Sequence, residues 1–333
     1  RKPGIQVEDR SGFRHEKGGR RRILRKRRSH IVKINGGGQV CGTQGVQVFG
    51  AGRAKITLDF IQPDALAKVH FMVHVFHASP ILAAEMLRRN LWNVAYGALV
   101  TSATLTALGT FDRFRMRAGL PKKAVTAVVP SPFHHADAGV LRVPDLKADP
   151  RDAPAHTAAI IRDLPSLVEG SKGTLVLFSS RKQMQDVFDG LDRDWRKQVF
   201  IQGNLSKQET LNKHKARVDG GDSSVLFGLA SFAEGVDLPG AYCEHVVIAK
   251  IPFSVPDDPV EAALAEWIEA RGGNPFMEIS VPDASLKLVQ ACGRLLRTEE
   301  DRGTITLLDR RLVTQRYGKA ILNALPPFRR EIS

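Results

Sequence analysis

The segment Gln290-Ala291-Cys292-Gly293-Arg294-Leu295-Leu296-Arg297 holds one amide and two guanidiniums, spaced by four and three residues. On a helix that spacing stacks side chains along one face. The pattern predicts a helix over 285–297. A guanidinium fork matches phosphate oxygens and stays charged at any working pH, so the face suits an anionic ligand. The solvated face of an ordinary amphipathic helix fits the same spacing. Leu288, Leu295 and Leu296 point elsewhere, toward a core.

Three more polar clusters each follow a short apolar run. They are Ser179-Ser180-Arg181, Gln202-Gly203-Asn204 and Ser231-Phe232-Ala233-Glu234-Gly235-Val236-Asp237. Each alone is compatible with a polar turn. Glu234 and Asp237 place two carboxylates beside a loop glycine, Gly235. That suits hydrogen bonds to a ribose or water, or salt bridges to a partner domain. A helix start with acidic residues near its positive end fits as well.

These clusters need a scaffold that brings them together, and the pattern supplies one. Apolar strands are predicted at 174–178, 199–202, 225–229, 245–249 and 304–308, and helices at 155–169, 181–191, 206–218, 259–270, 285–297 and 313–325. Short, continuously apolar strands alternating with helices indicate an α/β fold, a parallel sheet with helices on both faces. Ligands then sit at the carboxyl ends of strands, where all three clusters fall. Earlier, Ser79-Pro80 predicts a helix start running to about Trp92. Ala98-Leu99-Val100 predicts a strand that ends in Thr101-Ser102-Ala103-Thr104-Leu105. Residues 121–154, rich in Pro and His, read as an irregular insertion.

With 333 residues, 43% hydrophobic and 25% charged, the chain can bury a real core. No stretch is apolar enough to span a bilayer and no secretory signal opens the chain, so a cytoplasmic protein is expected. Cys41, Cys243 and Cys292 are widely separated and support neither a disulfide framework nor a zinc site. The formal charge of +14 is lopsided: residues 1–55 hold 15 Lys and Arg against 3 Asp and Glu. The rest holds 34 against 32. With 11 glycines and one leucine, that first segment cannot offset its own chain entropy. A disordered tail, an arm gripping nucleic acid phosphates, and a non-native stretch all fit it. The expected division is a basic segment, 1–73, and a folded domain, 74–333.

The order of motifs resembles the second motor domain of DinG-type DNA helicases, in the superfamily-two group that includes XPD. Thr101 to Leu105 resembles motif III, and Val176 to Arg181 motif IV, followed by Phe200-Ile201-Gln202-Gly203. Ser231 to Leu238 resembles motif V, and Gln290 to Arg297 motif VI. Leu308-Asp309-Arg310-Arg311-Leu312 and Tyr317-Gly318-Lys319 add to the likeness, which covers about 75–330.

The resemblance implies a RecA-like sheet and a set of roles. Arg294 and Arg297, with Gln290, would stabilise charge on a transferred phosphoryl group. Glu234, Gly235 and Asp237 would line the nucleotide cleft. Ser179, Arg181, Gln202 and Gly203 would lie along single-stranded DNA, and Thr101, Ser102 and Thr104 would couple the two ligands. ATP and Mg2+ would be shared with an N-terminal motor domain that these residues do not contain. The chain has no G-x-x-x-x-G-K-[ST] loop, no Asp-Glu-Ala-His box and no set of four iron–sulfur cysteines. The expectation is the C-terminal half of a helicase, inactive as an ATPase alone. The alternative is a non-catalytic nucleic-acid-binding protein that relies on its basic arm. A nucleotide-binding transferase of another doubly wound type would need a Gly-rich phosphate loop, which is not seen.

Overall fold

A strand buried on both faces has no side for polar residues, and the run Gly173–Phe178 is buried along its whole length. In the computed structural model it lies inside the main sheet. The structure describes residues 81–333, except 230–231, 233–234 and 255–258, and four short strands nearer the start. Those strands are β1 (Gln6–Glu8), β2 (Ile31–Lys33), β3 (Val46–Phe49) and β4 (Lys55–Leu58). β1 pairs antiparallel with β2, and β3 forms a second two-stranded sheet with β4. The rest of the expected basic segment, the predicted helix start at Ser79-Pro80 and Cys41 lie outside the described residues.

The main sheet contains β5 (Gly139–Val143), β6 (Gly173–Phe178), β7 (Val199–Ile201), β8 (Ser224–Leu229), β9 (His245–Ile248), β10 (Gly303–Leu307) and β11 (Arg329–Ile332). Their order is β11-β5-β10-β9-β6-β8-β7, and every pairing is parallel. Alternate residues of each strand face opposite layers. Leu175, Leu177, Val246, Ile248 and Ile305 meet Ala284 and Leu288 of α8 (Val281–Cys292) and Ile321 of α10 (Arg316–Ala324). Val176, Phe178, Val225, Phe227 and Val247 meet Ile160 and Leu164 of α4 (Ala153–Leu167) and Met184 and Val187 of α5 (Arg181–Gly190). Helices therefore cover both faces of a parallel sheet, as the pattern predicts.

Local signals start the helices where expected. Asp152 caps α4, Ser180 caps α5, and Ser206 caps α6 (Lys207–Asp219), each accepting from a backbone N–H three residues on. The remaining helices are α1 (Ala84–Leu87), which runs into a π turn at Arg88–Trp92, α2 (Asp112–Ala118), α3 (His135–Ala138), α7 (Pro259–Glu269) and α9 (Arg311–Thr314).

Four expectations need correction. The predicted strand Ala98-Leu99-Val100 is not formed, and Leu99 is 89% exposed. A lone apolar run has no ladder to join here. The insertion at 121–154 contains β5, which sits between β10 and β11. Its Leu141 and Val143 are buried despite the Pro and His that flank it. The helix predicted over 313–325 is two, α9 and α10, broken at Gln315, whose φ and ψ of −100° and 146° are extended. Gly318 allows their close approach, since a Cβ there would lie 1.8 Å from the Arg311 carbonyl oxygen. The helix predicted over 285–297 stops at Cys292.

Two histidines tie helices to the sheet or its flanking turns, and a third joins neighbouring strands β9 and β10. His156 Nε2–H donates to the Leu308 carbonyl at 2.7 Å, and its Nδ1 accepts from Gln183 at 3.1 Å. His214 Nε2–H donates to the Tyr242 carbonyl at 2.8 Å, and its Nδ1 accepts from the Ser224 hydroxyl at 2.8 Å. His245 Nε2 lies 2.8 Å from Thr306 Oγ1. Burial pushes all three pKa values down, that of His245 to about 4.

Neutral histidines in the folded chain make the unfolded chain the stronger proton binder at low pH. Their stability contribution is complete above the ordinary histidine pKa of about 6.5 and is lost as pH falls toward the folded values. Each histidine accounts for at most about 1.4 kcal/mol per pH unit in that window. Urea unfolding midpoints should therefore drop steadily as pH is lowered through that window. A midpoint unchanged across it would contradict the neutral, buried assignment.

Candidate functional site

Because α8 ends at Cys292, Gln290 is helical while Arg294 and Arg297 lie in the turn beyond. The three do not share one helical face. Gly293 caps the helix with φ −67° and ψ 0°. What gathers the arginines instead is Asp301. Its carboxylate, 5% exposed, accepts from Arg297 N at 2.6 Å, Thr298 N at 2.8 Å, Thr298 Oγ1 at 2.9 Å and Gly240 N at 2.9 Å. Burial alone would raise its pKa, but these donors outweigh burial and hold it below the usual carboxylate range.

This knot turns both guanidiniums onto one backbone oxygen. Arg294 Nη1 donates to the Val236 carbonyl at 3.3 Å and Arg297 Nη2 to the same oxygen at 2.6 Å. Arg297 Nε is buried without a hydrogen-bond partner and lies 3.5 Å from Asp237 Oδ1. We read that contact as charge proximity, since the oxygen is not aligned as an acceptor. Asp237 is 79% exposed in its side chain, and Gly235 turns the chain just before it with φ +68°. Arg294, Arg297, Gly235 and Asp237 are thus brought together. Glu234 lies outside the described residues.

The outward side of α8 holds three more contacts. Asp283 takes ion pairs from Arg113 and, at 3.5 Å, from Arg117, while Arg117 also forms a bidentate pair with Glu261 at 2.9 and 2.9 Å. Lys287 Nζ donates to Ser254 Oγ at 2.6 Å. Gln290 Nε2 donates to Thr104 Oγ1 at 3.1 Å. Ser102 Oγ accepts from Thr104 N at 3.3 Å, which fixes the turn that carries them; Thr101 is exposed beside it. Arg113, Arg117, Glu261 and Asp283 were not singled out from sequence. A signal was available. Arg113 and Arg117 are four apart on α2, where like charges repel unless they share acidic partners.

At the ends of β6 and β7 lies a groove of about 530 Å³ lined by Arg181, Gln202, Gly203 and Asn204, among others. Gly203 has φ +107°, and a Cβ there would lie 3.3 Å from Arg181 Nη1, so glycine keeps the groove open. Gln202 Oε1 accepts from Leu229 N at 2.8 Å, so its amide also closes the ladder between β7 and β8. Ser179 is exposed at the end of β6 and lies outside the groove lining. Among the described residues no group of three or more His, Cys, Asp or Glu could hold a metal. Cys243 and Cys292 are buried thiols, pushed up to about 12 by burial. No helix among the described residues is long and apolar enough to cross a membrane.

A parallel sheet in this order, helices on both faces and polar clusters at its carboxyl edge define a RecA-like domain. Residues 164–328 match the helicase C-terminal domain family. Over 264 residues the chain is 45% identical to the ATP-dependent DNA helicase DinG of Photobacterium profundum, covering 78% of this chain and 38% of that protein. It is 38% identical over 259 residues to the DinG of Escherichia coli (strain K12), covering 76% and 36%. The chain therefore spans less than two-fifths of the length of these relatives. A solved XPD helicase resembles it at 19% identity with a TM-score of 0.45, over 59% of this chain and 36% of that one, too distant to carry an argument. The chain carries a helicase C-terminal domain of the DinG type.

The α8 staple yields a prediction. Asp283→Ala leaves Arg113 without its partner in a half-buried site, a loss of about 1–3 kcal/mol. Hydrogen exchange should rise across 101–118 more than in the sheet. Uniform change across the domain would contradict a local staple.

Proposed function

We propose that this chain supplies the second half of an ATP-dependent DNA motor and works with a first motor domain. The observation that carries this is the convergence of Arg294 and Arg297 on the Val236 carbonyl. Two guanidiniums held by a buried knot beside the amino ends of β9 and β10 suit an anionic oxygen there. ATP would bring the phosphoryl group whose developing charge such arginines stabilise.

The chain's own residues would then divide the work. Arg294 and Arg297 neutralise charge. Glu234, Gly235 and Asp237 border the nucleotide, and Gln290 reports its state to Thr104. Thr101 and Ser102 belong to the same coupling turn. Ser179, Arg181, Gln202 and Gly203 follow single-stranded DNA, where small polar groups and a guanidinium hold phosphates without reading sequence. No phosphate loop or acidic box occurs in these 333 residues, so the Mg2+ ligands and phosphate cradle would come from the first motor domain. The iron–sulfur ligands of the family would come from there as well. The chain alone is therefore expected to be inactive as an ATPase.

The test is a motor assembled from this chain and the first motor domain of a DinG relative. Arg294→Ala and Arg297→Ala should each lower kcat by about 10³- to 10⁵-fold, the range for arginine fingers. KM for ATP should change far less. Arg→Lys should not restore the rate, because an ammonium lacks the fork. A full rate in Arg294→Ala would remove that arginine from the assignment.

A further inference from the structure

One aromatic cluster at the carboxyl edge of the sheet is used by nothing described so far. Phe253, after β9, lies 5.3 Å from Phe276 and 5.9 Å from Tyr317, ring centre to ring centre. Phe276 and Tyr317 are 5.1 Å apart and nearly perpendicular, at 87°. Three elements contribute: the loop after β9, the turn before α8, and α10. The cluster rests on the core, yet Phe276 is 40% exposed and Met277 44%. Edge-to-face packing holds the rings, and Phe276 remains two-fifths exposed.

Its surroundings are polar and cationic. The Arg311 guanidinium lies 5.6 Å from the Phe253 ring centre, with its charge balanced by buried Asp309 at 2.6 Å. Lys287 meets a neutral hydroxyl, that of Ser254. Burial, and then the Arg311 charge, lower the pKa of nearby Lys250. Glu278 is turned back onto Asn274 N at 3.0 Å. The charges beside the rings are mixed, Lys250, Lys287 and Arg311 against Glu278 and Asp309, with Lys287 paired only to a hydroxyl. β9 is the direct neighbour of β6, whose end opens the Arg181 groove. Both features lie at the carboxyl edge of the sheet, the groove on the face covered by α5 and the rings on the face covered by α8 and α10.

We infer that Phe276, backed by Phe253 and Tyr317, is a stacking platform for an unpaired nucleobase, with Lys287 beside it for the adjoining phosphate. This rests on the proposal that single-stranded DNA follows the groove at Arg181, and it adds a separate base-binding position at the same edge of the sheet. Flat rings supply the base contact that the groove lacks, since Arg181, Gln202, Gly203 and Asn204 offer no aromatic face. Every base has a π face, so the platform holds DNA without choosing sequence.

The test uses the full chain and an oligothymidylate carrying one iododeoxyuridine, which cross-links to stacked aromatic side chains under ultraviolet light. Salt is raised until the contribution of the basic segment is small. Cross-linked peptides should contain Phe276 or Tyr317. Phe276→Ala should weaken binding by about 5- to 150-fold, the range for one base–aromatic stack. Phe276→Trp should bind at least as well as the parent. Circular dichroism and Tm of each variant establish that the domain is folded.

Arg181→Ala separates the two readings. If Arg181→Ala weakens binding while Phe276→Ala stays within two-fold and no cross-link maps to the rings, the platform is overturned and the groove stands. If neither variant weakens binding, both fall. If Phe276→Ala keeps its DNA affinity but loses association with a supplied first motor domain, the face is a protein interface and the inference is wrong.

Discussion

Asp301 carries a charge in a place that water barely reaches, and it must therefore be satisfied by the chain itself. It collects four donors from two segments that are far apart in sequence, 297–298 and Gly240. Each donor constrains a backbone. The turn after α8 bends toward the loop before β9, and both arginine side chains reach the Val236 carbonyl from there. Leu295 and Leu296, buried in the core, anchor the chain after Gly293, and that carboxylate fixes its path from Arg297 onward. The arginines do not inherit their geometry from a helix. They inherit it from an acceptor several residues further on.

The helix α8 does a different job. One side packs Ala284 and Leu288 against the sheet. The other side meets α2 through Asp283, the loop after β9 through Lys287, and the turn at 102–104 through Gln290. Strands buried on both faces make the sheet a rigid base, because a one-residue slip would turn every side chain to the opposite layer. A rigid base with one helix touching several loops is a physical route by which events at the arginines could reach the turn at Thr104. The route is a chain of contacts, and a demonstrated second state would be needed to call it a switch.

The sheet was legible because its strands carry an unmistakable signature. β6, β8 and β9 are continuous apolar runs bounded by turns, and alternation with helices leaves few alternatives to a doubly covered parallel sheet. β5 was not legible: five residues between Pro-rich flanks become a strand only because β10 and β11 wait on either side. The opposite error occurred at Ala98-Leu99-Val100, where apolar residues found no neighbouring strand. Both cases turn on long-range pairing, which local patterns do not encode. At the site, Arg294 and Arg297 are brought together on a scaffold other than the expected one, since Gly293 ends the helix that was expected to align them. Gln202 shows a subtler limit. Its position at a strand end suggested ligand contact, and half of its amide is engaged in closing the sheet.

If this chain holds the arginine half of a divided site, its activity must depend on a second domain. The most direct measurement is ATP hydrolysis stimulated by single-stranded DNA, first with the chain alone and then after adding the first motor domain of a DinG relative. A divided site predicts no turnover alone and DNA-dependent turnover on mixing. Sustained turnover by the purified chain alone would mean that it contains its own phosphate cradle, and the divided site would be wrong.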